Sequence, residues 1–78
     1  MDGIVELDVH GMTVYQARIA IDATLRRATI GTYRIRVIHG YHGGTALRDL
    51  VRKEYAGKVR RVELGLNPGS TDLVLREF

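Results

Sequence analysis

Residues 4–40 read IVELDVHGMTVYQARIAIDATLRRATIGTYRIRVIHG, and two periodicities run through them. From Ile4 to His10 the residues alternate. Val5, Leu7 and Val9 point one way and Ile4, Glu6, Asp8 and His10 the other, as in a strand with one buried face. Gly11 and Met12 lead into Thr13-Val14-Tyr15-Gln16, which has the form of a capping box. Thr13 accepts from a free N–H of the first turn while Gln16 reaches back to the Thr13 backbone. Val14, Ala17, Ile21, Leu25 and Ala28 then recur at helical spacing and give one apolar stripe. Arg26 and Arg27 fall in the last turn, where the helix dipole favours cations, and Gly31 is the expected stop. Alternation returns from Tyr33 to His39, with Tyr33, Ile35 and Val37 on one face and Arg34 and Arg36 on the other.

The remainder repeats this plan and closes it. After the loop Gly40-Tyr41-His42-Gly43-Gly44, a second helix is expected to open near Thr45. Its stripe is Leu47, Leu50, Val51 and Tyr55, and Gly57 is its expected end. Val59 to Leu66 reads as a third strand, with Val62, Leu64 and Leu66 inward and Arg61 and Glu63 outward. Asn67-Pro68-Gly69-Ser70 is a turn, since Pro presets one turn residue and Gly tolerates positive φ. In the last strand Leu73 and Leu75 alternate with Asp72, Val74 and Arg76, closing a hairpin with the third. The order is βαβαββ. Right-handed crossovers and one buried sheet face predict an α/β fold of two layers, a four-stranded mixed sheet carrying both helices on one face. No linker, repeat or low-complexity stretch interrupts residues 1–78, so a single domain is expected. Glu6, Asp8, Arg34, Arg36, Arg61, Glu63 and Arg76 mark the opposite face, either a salt-bridge ladder or a binding surface.

Composition narrows the function classes. Seventy-eight residues suit one small core, and the absence of cysteine excludes a disulfide framework and a Cys-rich metal site. Met1 to Glu6 lacks a basic start followed by an apolar stretch, so no signal peptide is expected. No apolar run approaches the ~18 residues of a membrane span. A cytoplasmic protein is the default. The net charge is +3, and ten of the twelve basic residues are arginine, whose planar fork matches phosphate. That bias points to an anionic partner.

The chemistry-bearing residues gather at one end. His10 ends the first strand, His39 ends the second, and His42 lies in the glycine loop beyond it. In open α/β sheets ligands collect outside the carboxyl ends of parallel strands. Both helix N-termini open there, and the glycines allow the backbone close to a phosphate. Arg48 adds a cationic fork, and Tyr41 is placed to stack on a base. Asp8 and His10 share a strand face at a spacing of about 6–7 Å, twice the rise per residue. Asp8 in that position suits a metal ligand, for Mg²⁺ or Mn²⁺, or a partner that raises the basicity of an imidazole. Two imidazoles beside an anion hole suit acid–base cleavage of a phosphodiester, one activating an RNA 2′-hydroxyl and the other protonating the leaving oxygen. Arg48 and loop N–H groups would stabilise charge on phosphorus. The loop lacks the Lys of a Walker A motif, which argues against nucleotide hydrolysis.

Leu7-Asp8-Val9-His10-Gly11 resembles the LDLHG motif that opens Smr (small MutS-related) domains. Ile38-His39-Gly40, then Gly43-Gly44 and Ala46-Leu47-Arg48, resembles their second motif, HGxGxGxLR. Gly69 to Leu75 is similar to the family's glycine turn and closing strand. The resemblance spans nearly the whole chain in the right order and implies a βαβαββ fold. It implies a nucleic-acid partner, RNA or DNA, and an endonuclease activity that in some members is linked to ribosomes. Carried over by motif, Asp8 and His10 are the candidate catalytic residues; His42 joins them by its place in the glycine loop and not by motif. His39, Gly40, Tyr41, Gly43, Gly44 and Arg48 are the candidate phosphate and nucleic-acid contacts. The loop departs from the family pattern by one extra residue, which puts His42 where a glycine is common. Two other classes fit the same residues: a non-catalytic RNA- or ribosome-binding module, and an adaptor whose charged sheet face binds a protein.

Overall fold

A computed structural model describes residues 3–40, 45–65 and 67–76. The elements run β1 (Ile4–Asp8), α1 (Val14–Arg27), β2 (Arg34–Ile38), α2 (Ala46–Asp49), a wider helical turn (Leu50–Glu54), β3 (Arg61–Leu64) and β4 (Ser70–Val74). β1 pairs parallel with β2, while β4 inserts antiparallel between β2 and β3, giving the order β1-β2-β4-β3. This is the expected four-stranded mixed sheet with two helices.

One core shows that both helices lie on the same face. Ala17 and Ile21 of α1 pack with Leu50, Val51 and Tyr55 of the second helical segment over Val9, Ile35, Val37 and Leu73 of the sheet layer. The helices also bond to each other. Arg18 makes a two-pronged contact with Glu54 at 2.7 and 3.0 Å, and the Tyr55 hydroxyl donates to Asp22 at 2.7 Å. The capping box at Thr13 and Gln16 forms in both directions, at 3.1 and 3.0 Å.

Several boundaries differ from expectation, each for a local reason. β1 ends at Asp8 rather than His10 and β2 at Ile38 rather than His39, because a glycine turn follows each strand. α1 stops at Ala28, whose extended backbone ends the helix while its N–H still bonds Leu25, so Gly31 is not the stop. α2 keeps ordinary helical geometry for one turn. It then widens to i→i+5 spacing through Leu50–Glu54 and ends at Tyr55, before Gly57. β3 begins at Arg61, two residues later than predicted. Leu64 is exposed, because β3 is an edge strand and the core cluster stops at Val62. Val5, on the opposite edge, is also exposed. Leu66 lies outside the described residues.

Across the sheet's open face, Glu6, Arg36, Asp72 and Glu63 stand in register on four successive strands. Asp72 belongs to a central strand and is only 2% exposed, so its charge requires partners. Arg36 supplies two hydrogen bonds, at 3.1 and 3.2 Å, and Arg34 a third at 2.7 Å. Arg34 also reaches Glu63 at 3.0 Å, and Arg61 pairs with Glu63. The ladder reading of this face therefore holds around Asp72. Among the described residues no helix is long and apolar enough to cross a membrane.

Burial alone pushes the Asp72 carboxyl up, but the bonds from Arg36 and Arg34 outweigh it and hold it below the ordinary aspartate range. Such a group stabilises the fold above its unfolded pKa of about 3.9, and loses that contribution as pH falls through the depressed native value. Asp72→Asn is expected to cost about 2 kcal/mol at neutral pH. A fully enclosed pair costs roughly 3–5 kcal/mol to break, but Arg34 and Arg36 keep 23% and 28% of their side-chain surface in water. Urea unfolding at pH 7 and pH 3 checks both points, since the gap between parent and variant should shrink at the lower pH.

Candidate functional site

Two His-Gly turns lie side by side at the carboxyl ends of the parallel strands. The N–H of Val9 donates to the carbonyl of Ile38 at 2.9 Å, continuing the β1–β2 pairing one residue past the strand. Met12 N–H then closes a turn on Val9 at 3.0 Å, and its third residue, Gly11, has φ of 79°. Only glycine takes that left-handed position without strain. Gly40 takes the matching conformation after β2, with φ of 78°. A Cβ on Gly40 would sit 3.5 Å from the Cβ of His10, so the two turns touch.

His10 folds back onto Asp8. The same carboxylate oxygen, Oδ1, accepts from the His10 backbone N–H at 3.0 Å and meets the ring nitrogen Nδ1 at 2.5 Å. The expected spacing of 6–7 Å is therefore corrected to a direct contact, because His10 has left the strand for the turn. The His10 ring and backbone bonds hold the Asp8 carboxyl below the ordinary range. Both side chains are more than half exposed. With Nδ1–H given to Asp8, the second ring nitrogen, Nε2, is left outside that contact.

His39 is placed quite differently. It is 4% exposed, and both ring nitrogens are occupied. Nδ1 lies 2.8 Å from the Gly40 carbonyl, which can only accept, so Nδ1 carries the proton. Nε2 then accepts from the Thr71 hydroxyl at 2.9 Å, and that hydroxyl accepts from Arg52 Nε–H at 3.0 Å. The chain Arg52, Thr71, His39, Gly40 carbonyl is satisfied throughout by a neutral imidazole. The backbone N–H groups of His39 and Gly40 both donate to the Gly69 carbonyl at 2.9 Å, tying this turn to the β3–β4 connection.

Arg48 lies in α2 and is half-exposed, with a loose contact to Asp49 at 3.7 Å. Thr45 bonds Asp49 at 3.3 Å rather than capping the helix with its side chain. Tyr41, His42, Gly43 and Gly44 lie outside the described residues. Among the described residues, no three His, Asp or Glu side chains group to hold a metal. Asp8 Oδ2 is the carboxylate atom that the His10 contacts leave for a cation.

Thr71 and Arg52 were not legible as partners of His39: Arg52 belongs to no motif, and the closing-strand resemblance that includes Thr71 gives it no role. A signal for the burial of His39 was nevertheless present. It shares parity with Ile35 and Val37, which face the helices, whereas His10 shares parity with Glu6 and Asp8 on the open face.

Comparison with known proteins identifies the family and supports the fold. The family model described as Smr domain matches residues 7–64. The crystal structure of the Smr domain of Thermus thermophilus MutS2 is similar at a TM-score of 0.79 and 29% identity, covering 94% of this chain and 99% of that one. Comparison with curated protein sequences returns no match.

Burial lowers the His39 pKa, opposed by the Gly40 carbonyl bond and reinforced by the charges of Arg52 and Arg48. The unfolded chain therefore takes up this proton first, so stability should fall as pH drops below about 6.5 towards the native value. Long-range ¹H–¹⁵N spectra should show His39 with Nδ1 protonated and Nε2 bare at neutral pH. An Nε2–H tautomer would contradict the hydrogen-bond chain.

Proposed function

This chain belongs to the Smr domain family, and from that premise we propose that it binds nucleic acid and cleaves phosphodiester bonds, with RNA as its substrate class. The observation that carries the reading is the Asp8–His10 pair, exposed at the carboxyl end of β1 against the Gly40 turn. Asp8 fixes the imidazole with Nδ1–H inward, the orienting role of a carboxylate in acid–base dyads. His10 Nε2 then takes the proton from an RNA 2′-hydroxyl, which attacks the adjoining phosphorus. RNA is favoured because it brings this nucleophile to the base. The leaving 5′-oxygen needs a proton, and His42 is the proposed donor. Arg48, together with Tyr41, Gly43 and Gly44, is proposed to hold the phosphate and its neighbouring base.

His39 and Gly40 serve this site by position. The neutral imidazole holds the Gly40 carbonyl, which fixes the turn beside His10. A divalent cation on Asp8 Oδ2 is the alternative source of activation, with water as the nucleophile. We further propose that residues 1–78 act as one domain, in the cytoplasm, on RNA carried by ribosomes; these points rest on the family resemblance and composition.

Two experiments test the reading. Asp8→Asn and His10→Ala should each lower the cleavage rate of a labelled single-stranded RNA by about 10²–10⁴-fold, with circular dichroism and RNA binding retained. Activity in EDTA supports the imidazole route, and loss restored by Mg²⁺ or Mn²⁺ supports Asp8 as a ligand. A parent protein that retards RNA and DNA without cutting either identifies a binding module instead. Separately, affinity for RNA should fall with salt, and Arg48→Ala should flatten that slope by about one phosphate contact. An unchanged slope would move the binding surface away from α2.

A further inference from the structure

The open face of the sheet holds a cavity of about 250 Å³, lined by Glu6, Arg36, Ile38, Asn67 and Ser70. Glu6 is the register partner of Arg36, and Ile38 of Ser70, so four of these side chains form two adjacent rungs. Ile38 is also the register partner of Asp8. The cavity therefore adjoins the Asp8–His10 pair on the same face.

Its lining has an uncommon feature. Among the described residues, every other carboxylate has a hydrogen-bond or ion-pair partner: Asp8 with His10, Asp22 with Tyr55, Asp49 with Thr45, Glu54 with Arg18, and Glu63 and Asp72 with arginines. Glu6 alone has none, and feels the Arg36 charge without bonding to it. Arg36 is committed to Asp72 through Nε and Nη2, so its guanidinium plane is held in place. Asn67 Oδ1 accepts from the Gly69 N–H at 2.9 Å, which leaves the Asn67 NH₂ as a donor. A fixed cationic plane, an aliphatic floor, one free carboxylate and one amide donor suit a flat ring with a polar edge. Unstacked bases are recognised in this way, by stacking on guanidinium planes and bonding along the Watson–Crick edge.

The carboxylate chooses among the bases. It only accepts, and it has two oxygens. Guanine offers two neighbouring donors, N1–H and the N2 amine, which a carboxylate meets in parallel. Uracil offers one N–H flanked by two carbonyls that would face the carboxylate. We propose that this cavity binds a guanine base next to the phosphate engaged at Asp8 and His10, with Glu6 reading N1–H and N2–H. The proposal deepens the nucleic-acid reading above and rests on it.

The test compares a short 2′-O-methylated oligouridylate, which the 2′-hydroxyl route cannot cut, with the same strand carrying one guanosine. The guanosine strand should bind about tenfold more tightly, the scale of one good bidentate contact. It should shift the amide signals of Glu6, Ile38 and Ser70. Inosine, which lacks the N2 amine, should fall between the two. Glu6→Gln, at an exposed position, should bring the guanosine-to-uridine affinity ratio down to about one. Equal binding of the two strands by the parent, or a preference that survives Glu6→Gln, overturns the proposal. If oligouridylate binding that depends on Arg48 persists in that case, the cavity assignment alone fails. If neither strand binds, the nucleic-acid reading fails and this proposal with it.

Discussion

The parallel pairing of β1 with β2 is the constraint on which the site depends. Strands that run the same way bring their carboxyl ends to the same edge, and the register Asp8 to Ile38 makes the residues after them neighbours. The bond from Val9 N–H to Ile38 carries the pairing past the strands and sets two glycine turns against each other. A slip of one residue would exchange the sheet faces of every β1 side chain. Val9 would leave the core, and Asp8 would enter it without a partner. The hydrophobic pattern that buries Ile35 and Val37 thus also fixes where Asp8 and His10 stand.

Two histidines in matching His-Gly turns stand in opposite surroundings because of strand parity. His10 follows the open-face series of Glu6 and Asp8 and ends in solvent with one nitrogen held by a carboxylate. His39 follows the helix-face series of Ile35 and Val37 and is buried, with both nitrogens engaged. An exposed, oriented imidazole is equipped to move a proton. A buried neutral one is equipped to hold a turn in shape. The His-Gly dipeptide alone treats them alike, and it is the period-two pattern that separates their surroundings.

Much of the fold was legible because its signals are local. The capping box at Thr13, the α1 stripe and the turn at residues 67–70 each depend on residues close in sequence. The insertion of β4 between β2 and β3 is a long-range choice, and no local pattern reveals its consequences. Asp72 and Val74 read as outward residues of a half-buried strand, yet both are buried, as befits a central strand flanked on both sides. Thr71 meets His39 and Arg52 for the same reason. The widening of the second helical segment after Asp49 carries no residue signal, since Leu50 to Glu54 contains neither glycine nor proline. For the candidate site, the motifs named Asp8, His10, His39 and Arg48, but the direct Asp8–His10 contact arose from a turn whose start was placed two residues too late.

The most direct measurement is a map of amide shifts on adding a short, uncleavable RNA to ¹⁵N-labelled protein. If the paired strand ends are the working end, the largest changes fall at Asp8 to Gly11, at His39 and Gly40, and at Arg48. Changes concentrated instead on the outer side of α1, around the exposed Tyr15 and Ile19, with those residues silent, would contradict the account.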